Sequence, residues 1–456
     1  MTTVSSYRPN TGRTVELLLL VLVTGIIMLA YANVGLAQTG ALPTDMVTYA
    51  AGLLGIGLAF HIALRWRAKY ADPLLLPIAL LLNGLGLVMI HRIDFENTYE
   101  GVQAPRQLVW SALSVVFAIV VLVVLRDHRR LRRYTYTFMV GGVVLLLLPL
   151  LPFIGDPHYG SRIWIKLGPF SFQPGEIAKI LLAVFFAGYL VQKRDVLSLV
   201  GRRFLGFPLP RMRDLGPILV AWAFSLAVLV FEKDLGSSLL FFGLFVAMLY
   251  VATERVSWIA IGLLMFVGGA YVAWLLFPHL QQRVQLWLDP FATGINQVSM
   301  GLMGMASGGL FGTGLGSGHP EITPFAKSDY IVASLAEELG LFGLFAILLM
   351  FVLIVERGLR TAIGVRDGFG KLLAAGLAFS VALQVFVVAG GITRVIPLTG
   401  LTTPFMSAGG SSLIANWTVI ALLLRISDQA RRPLAEVDEE EQAAAGAAAT
   451  QVVKLR

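Results

Sequence analysis

The 456-residue sequence has no cysteine, only six histidines and little charge, with Asp, Glu, Lys and Arg together making up 14% of the chain. Without thiols there is no disulfide framework and no thiolate metal site, and six histidines leave little for imidazole-based metal chemistry. So few charges cannot clothe a water-soluble globule, the more so when 57% of residues are apolar and mean hydropathy is +0.78. The formal net charge of +8 does not mark a nucleic-acid binder. Lys and Arg stand in short clusters between apolar runs rather than on one basic face, so no nucleic-acid partner is expected. The solvent of this chain is largely lipid.

What is present is a series of apolar runs long enough to cross a bilayer. They lie near 14–36, 46–65, 74–91, 107–125, 135–154, 174–192, 215–231, 235–251, 257–277, 331–356, 371–394 and 404–426. The expected fold is therefore an all-α polytopic membrane protein of about twelve transmembrane helices. The first run ends VGLAQ, with small residues at Gly35 and Ala37 as before a cleavable signal. Its apolar stretch is long for a signal peptide, and a second span follows after a short loop without basic residues, so a retained helix is expected. The pair flanking EKDLGSS is separated only by a very short charged turn.

Basic residues collect on the cytoplasmic side of membrane proteins, and assigning the loops alternately places 24 Lys and Arg inside against eight outside. The inside set includes Arg65, Arg67, Lys69, the cluster from Arg126 to Arg133, and the loop from Lys193 to Arg213. The outside set is Arg92, Arg106, Arg162, Lys166, Lys233, Arg283, Lys327 and Arg394. That count predicts both termini in the cytoplasm. The tail 433–456, acidic and Ala-rich with EVDEEEQAAAGAAAT, offers no face that would pack and is expected to be disordered.

The unusual chemistry falls in the outer loops: GSRIWIKLGPFSFQPGEIAK, FEKDLGSS, the long segment 278–330, and TRVIPLTGLTTPFMSAGGSS. Connections this rich in Gly, Pro, Trp and paired charge commonly carry function. The Gly-rich GLMGMASGGLFGTGLGSGHP lacks a following GKS or GKT, so it is no P-loop, and it can equally be a re-entrant or surface segment without chemistry. Glu176 and Lys179 are three apart on one helical face and can pair with each other or with a ligand. Asp234 suits a helix N-cap as well as a ligand site. Asp329 stands just before an apolar helix, and Glu337 with Glu338 two turns into it read as structural carboxylates needing Arg394 or backbone donors. Gln297, Ser411 and Ser412 can bond sugar or phosphate, or act as polar glue between helices.

In order along the chain, five motifs resemble those of the SEDS family (shape, elongation, division, sporulation) of cell-wall polymerases, and its rod-shape branch more than its division branch. GSRIWI with FQPGEIAK, KDLGSS, DPFATGINQ, KSDYIVASLAEELG and PLTGLTTPFMSAGGSS each have a counterpart there. KSDY departs from the family's H-T-D-F, EKDLGSS lacks its Pro before the Asp, and SAGGSS lacks its Tyr. The resemblance implies a ten-helix core over 74–432, with residues 1–73 adding a tail and two helices. It implies a peptidoglycan glycosyltransferase that polymerises lipid II at the outer face of the bacterial cytoplasmic membrane during cell elongation. Asp329 falls on the family's essential Asp. Glu176, Lys179 and Asp234 fall on its polar cavity, and Arg106 on a basic residue heading an early core helix.

Such a reaction needs a base to take a proton from the acceptor hydroxyl, and Asp329 is the candidate. It also needs positive charge, or a divalent ion such as Mg or Mn held mainly by the phosphates, to balance the leaving pyrophosphate. Arg106, Arg162, Lys166, Lys179 and Lys233 are available for that, and no residue spacing specifies a metal site. The resemblance further implies a class B penicillin-binding protein as cross-linking partner. A lipid II flippase and a non-catalytic scaffold are the competing expectations.

Overall fold

A computed structural model describes residues 11–96, 101–152, 154–158, 161–167, 170–198, 200–204, 207–210, 215–292 and 294–433. The tail expected to be disordered lies, from residue 434 on, outside the described residues.

Fourteen α-helices follow in order among these residues: α1 (Arg13–Thr39), α2 (Met46–Arg67), α3 (Leu75–Asp94), α4 (Ala104–Val124), α5 (Thr135–Leu147), α6 (Pro174–Leu197), α7 (Gly216–Phe231), α8 (Leu235–Thr253), α9 (Val256–Leu276), α10 (Pro278–Leu288), α11 (Gln297–Gly308), α12 (Ile331–Gly364), α13 (Gly368–Ile392) and α14 (Gly410–Arg431). Eleven helical stretches are long and apolar enough to cross a membrane, one of them α5 with its flanking 3-10 turns. The sixteen-residue α7 is a shorter apolar helix. Leu29, Val47 and Leu264, each more than 70% exposed, sit on outer faces that would be costly in water and are at home against acyl chains. By contrast α14 runs through the middle of the bundle and is almost wholly buried.

The structure departs from the expected spans at the last helix and adds structure between others. The last helix begins at Gly410 rather than 404, because Phe405 (φ 65) and Gly409 (φ 157) hold left-handed or extended turns that no helix continues. The segment 155–172 forms a three-stranded antiparallel sheet, β1 (Gly155–His158), β2 (Ser161–Leu167) and β3 (Phe170–Phe172), in the order β1-β2-β3. The long outer segment 278–330 is largely structured by α10 and α11. A second hairpin, β4 (Val200–Phe204) with β5 (Phe207–Pro210), follows α6.

α12 is two helices in one. Gly340 (φ 70, ψ −172) breaks it, and the Gly-rich turn after α11 threads into the break. Thr313 and Gly314 donate their N–H groups to the carbonyls of Glu337 and Glu338 (3.0 and 3.0 Å), while Leu341 and Phe342 donate to Gly309 and Leu310 (3.0 and 3.2 Å). Four of the backbone groups at the break thereby find partners, as a low-dielectric setting demands. A Cβ on Gly312 or Gly340 would collide with this crossing backbone, which accounts for the glycine content. Glu338 is held by the fully buried Arg92 of α3 (3.0 Å) and by the N–H of Gly316 (2.9 Å), and Glu337 by the N–H of His319 (2.7 Å). Glu338 thus takes Arg92 as its cation and Glu337 a backbone donor, in place of the expected Arg394, whose guanidinium goes to the carbonyls of Trp287 and Leu288.

The two ends of the bundle differ in charge chemistry. At one end Arg425 bonds the carbonyl of Arg67, Asp428 accepts from the N–H of Tyr70, Arg357 faces Asp72, and His128 pairs with Asp367. These residues all belong to loops assigned inside. The loops assigned outside gather at the other end around a cavity.

Candidate functional site

That cavity has a volume of about 730 Å³ and is walled by six separate stretches of chain: the β2–β3 hairpin, the α7–α8 turn, α10, the start of α11, the segment before α12, and the end of α13 with the loop 393–409. Each wall is fixed by local chemistry. Asp234 caps α8, accepting from the N–H groups of Gly236 and Ser237 (2.9 and 3.1 Å) and from the Ser237 hydroxyl (2.6 Å). Asn296 and Ser299 form a capping box at α11. Arg283 of α10 donates to the carbonyls of Leu398 and Thr399 (3.0 and 2.9 Å), and Trp287 donates to that of Arg394 (2.9 Å), so α10 is latched onto the loop 393–409. That loop is in turn tied to the segment before α12, where Ser407 bonds the carbonyl of Ser328 (2.7 Å) and Ala408 that of Lys327 (2.8 Å).

Asp329 lines the cavity just ahead of α12. Burial raises its carboxyl to about 6; Arg283 opposes the shift, Asp234 adds to it, and a bond from Ser328 opposes it. Asp234 is likewise pushed up, chiefly by burial and against its own hydrogen bonds. His279, also on the wall, is pushed down by burial and by the nearby Arg283 and Lys233. Three fixed cations, Lys233, Arg283 and Arg394, face two carboxylates across the space, an arrangement that favours a bound anion.

Of the residues singled out in the sequence, Asp329, Asp234, Lys233 and Gln297 line the cavity. Glu176, Lys179 and Ser412 do not; they lie in a buried network beneath it. Lys179 donates to Glu176 (2.6 Å) and to Gln384 (2.7 Å), Gln384 donates to the carbonyl of Thr402 (2.8 Å), and the Thr402 hydroxyl lies 3.3 Å from Glu176 and 2.9 Å from Ser412. Thr402 alone of this group reaches the cavity surface. Ser411 is buried in the first turn of α14. Arg162 and Lys166 are exposed on β2 and line neither cavity described here. Trp164 does line it, whereas the side chain of Phe170 lies outside those described. Arg106 belongs to a smaller neighbouring cavity of about 210 Å³ that shares Trp164, Ser171 and Ala408 with the main one. Lys327, in place of the family's His, is a buried strut paired with Asp94 at 2.9 Å.

Sequence reasoning missed the wall formed by α10. The signal was there: His279, Gln282, Arg283, Leu286 and Trp287 follow i, i+3, i+4, i+7, i+8 spacing, one face of a helix, and all five line the cavity.

For a divalent ion the cavity offers little. The carboxylate of Asp234 is already engaged by its own helix, which leaves Asp329 as the one open carboxylate among the described lining residues. That donor set fits only an ion carried in by phosphate oxygens. Glu96, His319 and Glu321 bring ligand atoms within 4.8 Å of one another elsewhere on the outer end, with the Arg92 guanidinium between the two glutamates at 3.4 and 3.6 Å.

A bundle of spanning helices with a polar, cation-lined chamber at one end defines a polytopic membrane protein whose chamber suits an anion. Residues 73–432 match the FtsW/RodA/SpoVE family, described as cell cycle protein, and the chain belongs to that family. It is 49% identical over 433 residues to the peptidoglycan glycosyltransferase RodA of Mycobacterium tuberculosis, covering 93% of this chain and 92% of that protein. It is 33% identical to the stage V sporulation protein E of Bacillus subtilis, over 79% of this chain and 98% of that protein. Among solved structures it superimposes on a chain of a peptidoglycan synthase complex described as coordinating polymerization and crosslinking (TM-score 0.63, 25% identity, 80% of this chain and 99% of that one). Thermus thermophilus RodA shares the fold (TM-score 0.55, 24% identity, 80% and 98%).

Proposed function

We propose that this chain is a peptidoglycan glycosyltransferase that polymerises lipid II into glycan strands at the outer face of the bacterial cytoplasmic membrane, as a multi-pass protein with both termini inside. The observation that carries the mechanism is Asp329, a carboxyl raised to about 6 in a 730 Å³ cavity beside Lys233, Arg283 and Arg394. A carboxylate of that basicity is mostly ionised at neutral pH yet accepts a proton more readily than a free one. As the acceptor hydroxyl oxygen bonds the anomeric carbon, its proton passes to Asp329. The bond from that carbon to the phosphate oxygen breaks on the opposite face, inverting the centre, and the electron pair leaves on the pyrophosphate. The three cations answer the charge that develops there. A divalent ion carried by the phosphates would help to offset this negative charge. Glu176, Lys179, Ser411 and Ser412 act from below by holding Thr402 and the first turn of α14, and Arg162 and Lys166 present positive charge at the rim.

In this reading residues 74–432 form the ten-helix polymerase core and the two helices before it are an addition. Peptide cross-linking falls to a partner resembling a class B penicillin-binding protein, since the described outer loops contain no domain for it. The test is polymerisation of lipid II by the purified chain, alone and with that partner. Asp329→Asn should reduce strand formation by roughly 10²-fold or more while lipid binding persists. Normal strand length from that variant would refute the assignment. Movement of lipid II across a vesicle bilayer without strand formation would favour a flippase.

A further inference from the structure

Lys327 stands two residues ahead of Asp329 and takes no part in the mechanism above. Its ammonium is buried, 2.9 Å from Asp94 at the end of α3, and it donates to the carbonyl of Gly101 (3.2 Å). Asp94 in turn holds the start of α4, accepting from the N–H groups of Gln103 (2.9 Å) and Ala104 (2.7 Å). One carboxylate therefore joins the end of α3, the start of α4 and the segment before α12. A buried pair of this kind is often no more stabilising than apolar packing of the same volume; what it supplies is one fixed separation between the three. The backbone around Lys327 is held from the other side as well. Its carbonyl accepts from the N–H of Ala408 (2.8 Å), and that of Ser328 from the Ser407 hydroxyl (2.7 Å). Phe325, in the left-handed region (φ 61), turns the chain so that its carbonyl takes the N–H groups of both Ser328 and Tyr330 (3.0 and 3.1 Å).

Asp329, by contrast, has no cation within ion-pair distance among the described residues, and the hydrogen bond it takes comes from the neighbouring Ser328. The direction of its carboxyl is therefore set by the backbone that carries it. Resting on the reading of Asp329 as the base, we infer that Lys327 is a positioning residue, whose ion pair with Asp94 holds residues 325–330 so that the Asp329 carboxyl stays in the cavity wall within reach of an acceptor hydroxyl. The sequence departs from the family's H-T-D-F at this position, and the departure falls on the strut rather than on the reacting group. Without the pair, the segment keeps its ties to the loop 393–409 but loses those to α3 and α4. A misplacement of about 1 Å at a reacting group can cost roughly 10²-fold in rate.

The chain has no cysteine, so Asp329→Cys in the full-length protein, held in phosphatidylcholine nanodiscs, places a single thiol at the position in question. Its rate of reaction with a water-soluble maleimide measures how open that position is. Adding Lys327→Met should raise the rate roughly tenfold, the effect of losing one charge-assisted hydrogen bond from a locally opening segment, and Lys327→Arg should raise it less. Lys327→Met combined with Asp94→Asn strands no buried carboxylate and keeps an oxygen for the α4 N–H groups, and it should match Lys327→Met alone. In polymerisation of lipid II, with Asp329 in place, Lys327→Met should lower the maximal rate by roughly 10- to 10²-fold and leave the half-saturating concentration near that of the parent protein. The rise of rate with pH should move below about 6, because a loosened Asp329 meets more water. Arg283 and His279 of α10, Lys233 and Asp234 of the α7–α8 turn, Arg394 of the loop 393–409 and the adjoining Tyr330 stay in place, so the shift reports burial. A merely structural role would lower the melting temperature while leaving the labelling rate and pH profile of the folded protein unchanged, and that result would overturn the inference. So would a parental maximal rate in Lys327→Met. Labelling needs no catalysis, so failure of the base assignment, seen as a parental rate in Asp329→Asn, is told apart from failure here.

Discussion

In the proposed reaction Asp329 meets two demands that oppose each other. Its carboxyl must be ionised to accept a proton, yet burial favours the neutral form and raises it to about 6, with Arg283 holding it down and Asp234 pushing it up. The rate of strand formation should therefore rise with pH through about 6 and then level off, measured with lipid II at fixed concentration. Asp234→Asn keeps an oxygen to cap α8 but removes the repelling charge, so it should move that rise to lower pH; Arg283→Ala should move it higher. A folded-state carboxyl raised above its unfolded value contributes stability only at low pH, and that contribution is lost as pH rises through 6. Asp329→Asn should accordingly be more stable than the parent protein at pH 7.5, by about 1 kcal/mol after discounting for partial exposure. The gain should vanish near pH 4 in thermal unfolding experiments. Asp329 was legible from its motif, whereas its basicity was not, since that depends on residues 95 and 46 positions upstream at Asp234 and Arg283.

At the level of elements, the broken α12 couples the Gly-rich turn to the segment that carries Asp329. Arg92→Ala would strand the buried Glu338 without its cation, a change that typically costs about 3–5 kcal/mol, and should lower the detergent melting temperature sharply. Gly312→Ala would force a Cβ into the carbonyl of Glu338 at a left-handed backbone position. It should cost about 1–3 kcal/mol and increase hydrogen exchange at residues 309–342 before it affects the rest of the bundle. The sequence announced helices through their apolar length, and it announced capping residues such as Asp234 through spacing. It announced neither the insertion into α12 nor the Arg92 partner, because both depend on where two distant backbones cross. The α10 wall is an intermediate case: its periodicity was readable, but which side faced the cavity depended on the Arg283 and Trp287 latch to the loop 393–409.

For the molecule as a whole, the alternation of basic loops anticipated which loops share an end, since that follows from insertion energetics acting loop by loop. The division of polar residues between cavity wall and buried support was not readable, because Glu176 and Asp234 look alike in sequence and differ only in what packs over them. The two N-terminal helices join the outer end directly: Gln38 at the end of α1 donates to the carbonyl of Gly316 (2.7 Å), beside the N–H that Glu338 accepts. Gln38→Ala should loosen residues 314–320 in hydrogen exchange with only about 1 kcal/mol lost overall. Finally, the innermost helix, α14, is also the last helix of the described chain to be synthesised. Without it, Lys179 and Thr402 lack their contacts to Asn416 and Ser412 (3.4 and 2.9 Å), and the support beneath the chamber is incomplete. Messages cut short before codon 410 would therefore yield products with unmatched intramembrane polar groups, the kind of lesion membrane proteases recognise.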